Sequence, residues 1–411
     1  MKKLLIATTA VAGLAMFATP AMAQGLSLDL GGFYRGYALN IDDDAPAGVN
    51  VRDLDLRHDS EVYFTGEVTL DNGLTVGVHN EIDLGHESNA AAGVPPAGQA
   101  GQFDDTTDET YAYFSGNWGR VNLGREDGAQ YLLQVAAPSA DSNIDGLRQY
   151  FSGKNFFGAD RLSALAINGW TPFAGGVING NANTKGYDYA NDMGRYANKL
   201  TYFTPKFNGF QAGVTYAPEM TDGVKSINNG VGGMATDADA GHFEDLWEIA
   251  ARWDGEFNGV GLSFGAGYGH ASLEVAGAGA LPGTNTFDDR TQWNVSAAAT
   301  WNQFSAGVVY KDDNHGLTGG AGSFDQENTW VVGLAWDNGP WHAGASYLNS
   351  DYEFTGATDV EYDRFTVGGG YEFGPGMSFR GAVAFGSHDN NVAAADNRDF
   401  TQVTLGTEVN F

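Results

Sequence analysis

The sequence predicts an all-β chain closed into a transmembrane antiparallel barrel of sixteen strands, and three observations carry that expectation. The first is period-two alternation. In 62–70, Val62, Phe64, Val68 and Leu70 alternate with Tyr63, Thr65, Glu67 and Thr69, and in 74–84, Leu74, Val76, Val78, Ile82 and Leu84 alternate with Thr75, His79, Glu81 and Asp83. One face of each strand suits hydrocarbon and the other suits water. The second is punctuation. Seven short Gly, Asn or Pro turns, at 71–73, 117–119, 206–209, 255–259, 301–303, 338–340 and 374–376, alternate with eight polar loops at about 41–52, 85–106, 126–194, 218–243, 273–288, 312–325, 350–358 and 387–397. Short turns on one side and longer loops on the other are the pattern of a bacterial outer-membrane barrel. The third is composition: 59 Gly and 52 aromatics but only 11 Pro, with no stretch of about 18 apolar residues beyond the N-terminus. A membrane form of this chain is therefore a closed barrel. A soluble sandwich needs large residues on its apolar faces, and stretches such as Val331-Val332-Gly333-Leu334-Ala335 argue against one.

From the N-terminus, Lys2 and Lys3 precede an apolar run from Leu4 to Phe17, and Ala21-Met22-Ala23 offers a small-x-small cleavage site. Residues 1–23 read as a secretory signal and 24–411 as the barrel. Without the two signal lysines, 19 basic residues remain of 21, against 51 acidic ones, for a net charge of −32. That balance disfavours nucleic acid as a partner. Cysteine is absent, which removes disulfides and thiolate chemistry. Aromatics cluster beside the short turns, at Trp118, Phe203, Phe207, Phe210, Trp253, Phe257, Trp301, Phe304, Trp336, Trp341, Tyr371 and Phe373, where an interfacial girdle would lie.

Within Glu109–Asp127, Ala112, Phe114, Val121 and Leu123 oppose Tyr111, Tyr113, Ser115, Arg120 and Asn122 across a Gly-Asn-Trp-Gly turn. After Arg125 the alternation stops until about residue 195, far beyond an ordinary connection, so the tract is either disordered or functional. Gly116-Asn-Trp-Gly-Arg-Val-Asn-Leu-Gly-Arg125 resembles the fourth and fifth strands of the general Gram-negative porin family, notably those of alpha-proteobacteria. Arg195–Tyr216, with its Tyr-x-x-Pro-x-x-x-Gly-Phe, resembles the family's next hairpin. The closing strand Phe400–Phe411, with Val403, Leu405, Val409 and Phe411 on one face, is similar to the signal read by the outer-membrane assembly machinery.

The resemblance implies an outer-membrane homotrimer passing small hydrophilic solutes and ions, with a third loop, 126–194 here, folded into the lumen as a constriction. It also implies wall arginines set against loop carboxylates. Strand parity supplies Arg35, Arg57 and Arg120; the family's Gly-Arg supplies Arg125; the loop supplies Glu126, Asp127, Asp141 and Asp145. A water face carrying Asp53, Asp55, Asp59, Glu61, Glu67, Glu81, Asp83 and Glu109 favours cations weakly. Polar His58 and Ser60 on the outer face of the second strand suggest a sheltering subunit interface. An adhesin or structural barrel with partner-binding loops is the alternative.

No reaction is expected. Gly261-Leu-Ser-Phe-Gly265 matches a nucleophile elbow but lies in an alternating strand, which makes Ser263 a wall hydroxyl. The eight histidines show no metal-ligand spacing, and His79 reads as one polar wall residue among many. No cofactor is expected. The loop acids Asp42-Asp43-Asp44, Asp104-Asp105 and Asp312-Asp313 offer Ca²⁺ or Mg²⁺ sites between lipopolysaccharide phosphates, though the simpler reading is a solvated acidic loop.

Overall fold

A computed structural model describes residues 25–44, 53–84, 107, 109–138, 189–194, 197–220, 243–275, 285–319, 324–356, 358–390 and 397–411. The signal segment, Asp104, Asp105, Asp141 and Asp145 lie outside them. The described residues form eighteen strands: β1 (Ser27–Asp43), β2 (Leu54–Thr69), β3 (Thr75–Asp83), β4 (Thr110–Gly116), β5 (Gly119–Arg125), β6 (Asn198–Phe203), β7 (Phe210–Glu219), β8 (Phe243–Phe257), β9 (Val260–Leu273), β10 (Asn285–Phe287), β11 (Arg290–Trp301), β12 (Phe304–Asp313), β13 (Leu317–Gly319), β14 (Phe324–Asn338), β15 (Trp341–Phe354), β16 (Thr358–Gly374), β17 (Met377–Asn390) and β18 (Arg398–Asn410). Sixteen close into one antiparallel barrel, while β10 and β13 pair separately.

Each barrel strand pairs with its sequence neighbours in the barrel, and β1 closes the ring against β18 from Phe33↔Asn410 to Asp43↔Phe400. Closure leaves no open edge to recruit a foreign strand. The last residue completes the seam, since Phe411 and Gly32 exchange two backbone hydrogen bonds of 3.0 Å. Two of the short turns use left-handed Asn-Gly pairs, Asn208-Gly209 and Asn258-Gly259, which match the strands' twist.

Alternation sets the two faces. Leu28, Leu30, Phe64, Val78, Leu123, Ile249, Val332, Leu334 and Leu405 point outward and are exposed, while their neighbours point into the barrel. Trp118, Phe207, Phe257, Trp301, Phe304, Trp341 and Phe373 form the outward girdle beside the short turns. Phe203 departs from that expectation. It faces inward and packs with Ala129, Leu133 and Ala250, because Lys199, Thr201 and Phe203 share the lumen side of β6. No helix among the described residues is long and apolar enough to cross a membrane.

Two expectations about loops are corrected. The 350–358 loop shrinks to a turn, because Asp351↔Glu361 and Glu353↔Asp359 continue the β15–β16 ladder. Asp312 and Asp313 end β12 rather than lying in a loop, and Asp313 accepts from the Arg290 guanidinium at 2.7 and 3.1 Å. In both places charged side chains occupy ladder positions, so polarity alone misplaces the strand ends.

The described start of the long loop enters the barrel. After β5 it makes one turn of helix, α1 (Ala129–Leu132), and then runs across β7, β9, β12 and β14. Glycines on the inward side of those strands make room for it. A Cβ on Gly213 would lie 3.0 Å from the Ala129 Cβ, one on Gly265 3.1 Å from Val135, one on Gly267 2.5 Å from Gln130 and one on Gly307 2.9 Å from Pro138. Gly333 likewise lies under Pro138. The small residues of 331–335 therefore serve the inner face: Val331 and Ala335 are buried inside while Val332 and Leu334 are exposed outside.

The seam generates a test. Phe411→Asp places a charge at the C-terminal end of the closing strand, beside the short turn at Gly376, and should sharply reduce folded barrel in isolated outer membranes while leaving export across the inner membrane intact. An unchanged yield would remove Phe411 from assembly.

Candidate functional site

The expected charged residues separate into three groups. On β1 and β2, Arg35 Nη2 lies 2.9 Å from Asp59 Oδ2 with both side chains buried, and its guanidinium sits 4.4 Å from the Phe33 ring centre. Next to it, Arg57 Nη2 is 2.8 Å from Asp55 Oδ2. These two arginines are held in the wall by carboxylates of their own sheet, so much of their field is cancelled locally.

The second group follows β5 into the loop. Arg120 stacks 4.0 Å from the Tyr113 ring centre and donates from Nε to Asn122 Oδ1 at 2.6 Å. Asn122 Nδ2 donates to Glu126 Oε2 at 2.5 Å. Side chains two apart share a face of the strand, which is why Arg120, Asn122 and Glu126 line up. Arg125 stands on the other side of β5: the register pairs it with Thr110 and Asn198, on the face of outward Leu123 and Leu200. The structure therefore brings Arg120, Glu126 and Asp127 together, sets Arg35 and Arg57 apart on the first strands and turns Arg125 away.

The third element is a cation that sequence reasoning missed. Lys199 is buried on the inner face of β6, donates from Nζ to the Glu126 carbonyl oxygen, and has Asp127, Glu248 and Glu126 as its strongest charged neighbours. Its partners are far away in sequence, and the one available signal was parity, since Lys199 shares its face with Thr201. Neighbouring polar groups pin the loop. Ala129 N donates to Thr215 Oγ1 at 2.8 Å, Gln130 N to Glu248 Oε2 at 3.3 Å, and Gln130 Nε2 to the Gln292 carbonyl at 3.0 Å. The returning limb is tied in as well: Gln134 Nε2 donates to the Tyr189 carbonyl at 2.8 Å, and Asn191 N to Gln134 Oε1 at 3.0 Å. Elsewhere on the wall, Ser263 of β9 donates to Asp254 Oδ1 on the neighbouring β8 at 2.8 Å.

Glu126 lies in the loop, outside the strands. Burial raises its carboxyl to about 7, against the lowering effects of the Asn122 hydrogen bond, Arg120 and Lys199. A carboxyl raised on folding holds a proton between its ordinary value and about 7 that the unfolded chain lacks, so stability falls as pH rises across that window. Urea unfolding in lipid vesicles at pH 4.5 and 8 should show wild type losing on the order of 2–3 kcal/mol relative to Glu126→Gln over that range. A pH-independent difference would mean that the carboxyl is ionised throughout.

Comparison with known proteins agrees with the barrel. The family model for Gram-negative porins matches residues 7–391. An anion-selective porin from Comamonas acidovorans superposes with a TM-score of 0.56 at 18% identity, covering 94% of this chain and 100% of that one. An outer membrane protein of Vibrio cholerae with one loop deleted gives 0.56 at 13%, and a variant porin of Rh. blastica 0.51 at 16%, with the same coverage. At these identities the likeness is one of fold. Uncharacterized proteins of Rickettsia conorii and Rickettsia prowazekii are 28% and 27% identical over 124 residues, 29% of this chain; the chain spans about a quarter, 27%, of the length of these curated relatives.

Proposed function

Because the chain belongs to the Gram-negative porin family, we propose that it forms a water-filled channel for passive diffusion of small hydrophilic solutes and ions, and that the channel weakly prefers cations. Family membership sets the barrel in the outer membrane. The observation that carries the cation preference is the pairing of Arg35 with Asp59 and Arg57 with Asp55, while Glu61, Glu67, Glu81 and Asp83 line the same water face of β2 and β3. A wall with one sign of charge concentrates the opposite ion, and the effect fades once the Debye length, about 10 Å at 0.1 M salt, falls below the pore radius. Arg120 and Lys199 oppose it beside the loop. Arg120, Glu126 and Asp127 are the residues we assign to the constriction.

We also assign the assembly as a homotrimer with the β1–β2 face buried between subunits. Leu28, Leu30, Leu54 and Leu56 are more than half exposed there, and His58 stacks at 6.3 Å on Tyr34 in the same outward surface. Hydrocarbon would accept the leucines but penalise the imidazole, whereas a subunit interface accommodates both.

The test is single-channel conductance with reversal potential in a dilute KCl gradient. A cation-signed potential is expected, strengthened by Arg120→Gln and weakened by Glu67→Gln combined with Glu81→Gln. Anion preference would mean that the arginine and lysine beside the loop govern the pore, and absence of conductance would overturn the channel itself.

A further inference from the structure

On the lumen face of β3, His79 and Glu81 stand two residues apart, and Glu109, just before β4, is tied to them by a 2.8 Å hydrogen bond from Glu81 N to its carbonyl. One donor atom from each of the three side chains lies within 4.8 Å of the other two. His79 is oriented from both sides: Nδ1 is 2.7 Å from Thr65 Oγ1 on β2, and Nε2 is 3.0 Å from Glu81 Oε1. The Tyr111 ring, 5.3 Å from the imidazole, closes one flank.

From this geometry we infer that His79, Glu81 and Glu109 form a binding site for a divalent transition-metal cation in the wall of the lumen. Three features point to this ligand. Two carboxylates converge on one imidazole, and a dication balances their charge. An imidazole nitrogen suits zinc and its neighbours, whereas Ca²⁺ and Mg²⁺ favour all-oxygen shells. Thr65 supplies the outer partner that metal-bound histidines ordinarily have on their second nitrogen. In the metal-free site a proton on Nε2 bridges to Glu81. On binding, the Nε2 lone pair goes to the metal and the imidazole takes its other neutral tautomer, with the proton on Nδ1 donated to Thr65 Oγ1, so the ring keeps its single proton and none is released. The His79 and Glu81 side chains keep 12% and 10% exposure, so lumen water can complete the coordination shell.

Equilibrium dialysis of the folded barrel against Zn²⁺, with excess Mg²⁺ present, tests the assignment. Wild type should retain Zn²⁺ against Mg²⁺. Thr65→Val, which keeps all three ligands, should bind at least about tenfold more weakly, and His79→Gln should lose this site. Equal retention by wild type and His79→Gln, displacement by Mg²⁺, or no retention by wild type would each overturn it. Dialysis reads binding without conductance, so a barrel that holds Zn²⁺ but does not conduct would overturn the channel and leave the metal site standing.

Discussion

The close approach of the long loop to the barrel wall governs the interior. A backbone can lie flat on a sheet only where no side chain stands in the way, and Gly213, Gly265, Gly267, Gly307 and Gly333 clear such a path across four strands. Once there, the segment buries its own polar groups, each of which needs a partner out of reach of bulk water. Thr215, Glu248 and the Gln292 carbonyl supply partners from the wall, and Lys199 places a cation beneath the Glu126 carbonyl. Removing either the glycines or these polar anchors would leave the other without a purpose.

The same arrangement distributes charge unevenly around the lumen. On β1 and β2, Arg35 is neutralised by Asp59 directly across the ladder and Arg57 by Asp55 two residues along its own strand, so the field there is short-ranged. Beside the loop, Arg120, Lys199, Glu126, Asp127 and Glu248 crowd together in a poorly hydrated region, where interactions between charges are strongest. On β3 and just before β4, His79, Glu81 and Glu109 make a third, more polarised surface.

Much of the fold was legible because a barrel in a membrane separates water from hydrocarbon at every second residue. The faces of β2, β3 and β18 followed from Phe64 against Glu67, Val78 against His79 and Leu405 against Thr404. Where a third environment intervenes, the two-letter code fails. Phe203 is inward because the loop, not water, covers it, and the small residues around Gly333 belong to the loop's bed rather than to the outer surface. Strand ends were misplaced at Asp313 and Asp351, where hydrogen-bond ladders carry charged residues that look like loop. Lys199 and the His79 cluster were missed because most of their partners are distant in sequence: Glu126, Asp127 and Glu248 around Lys199, and Thr65 and Glu109 around His79, with only Glu81 close by.

The seating of the loop on the wall can be measured directly, since the chain has no cysteine of its own. Ala129 is fully buried against the wall, where a Cβ on Gly213 would lie 3.0 Å from its own Cβ. In the single variant Ala129→Cys the thiol of the folded barrel should stay closed to a water-soluble maleimide, and adding Gly213→Val, which fills the bed, should open it. An Ala129→Cys thiol labelled as fast in the folded barrel as in the unfolded chain, or labelling left unchanged by Gly213→Val, would show that the loop does not rest on the wall.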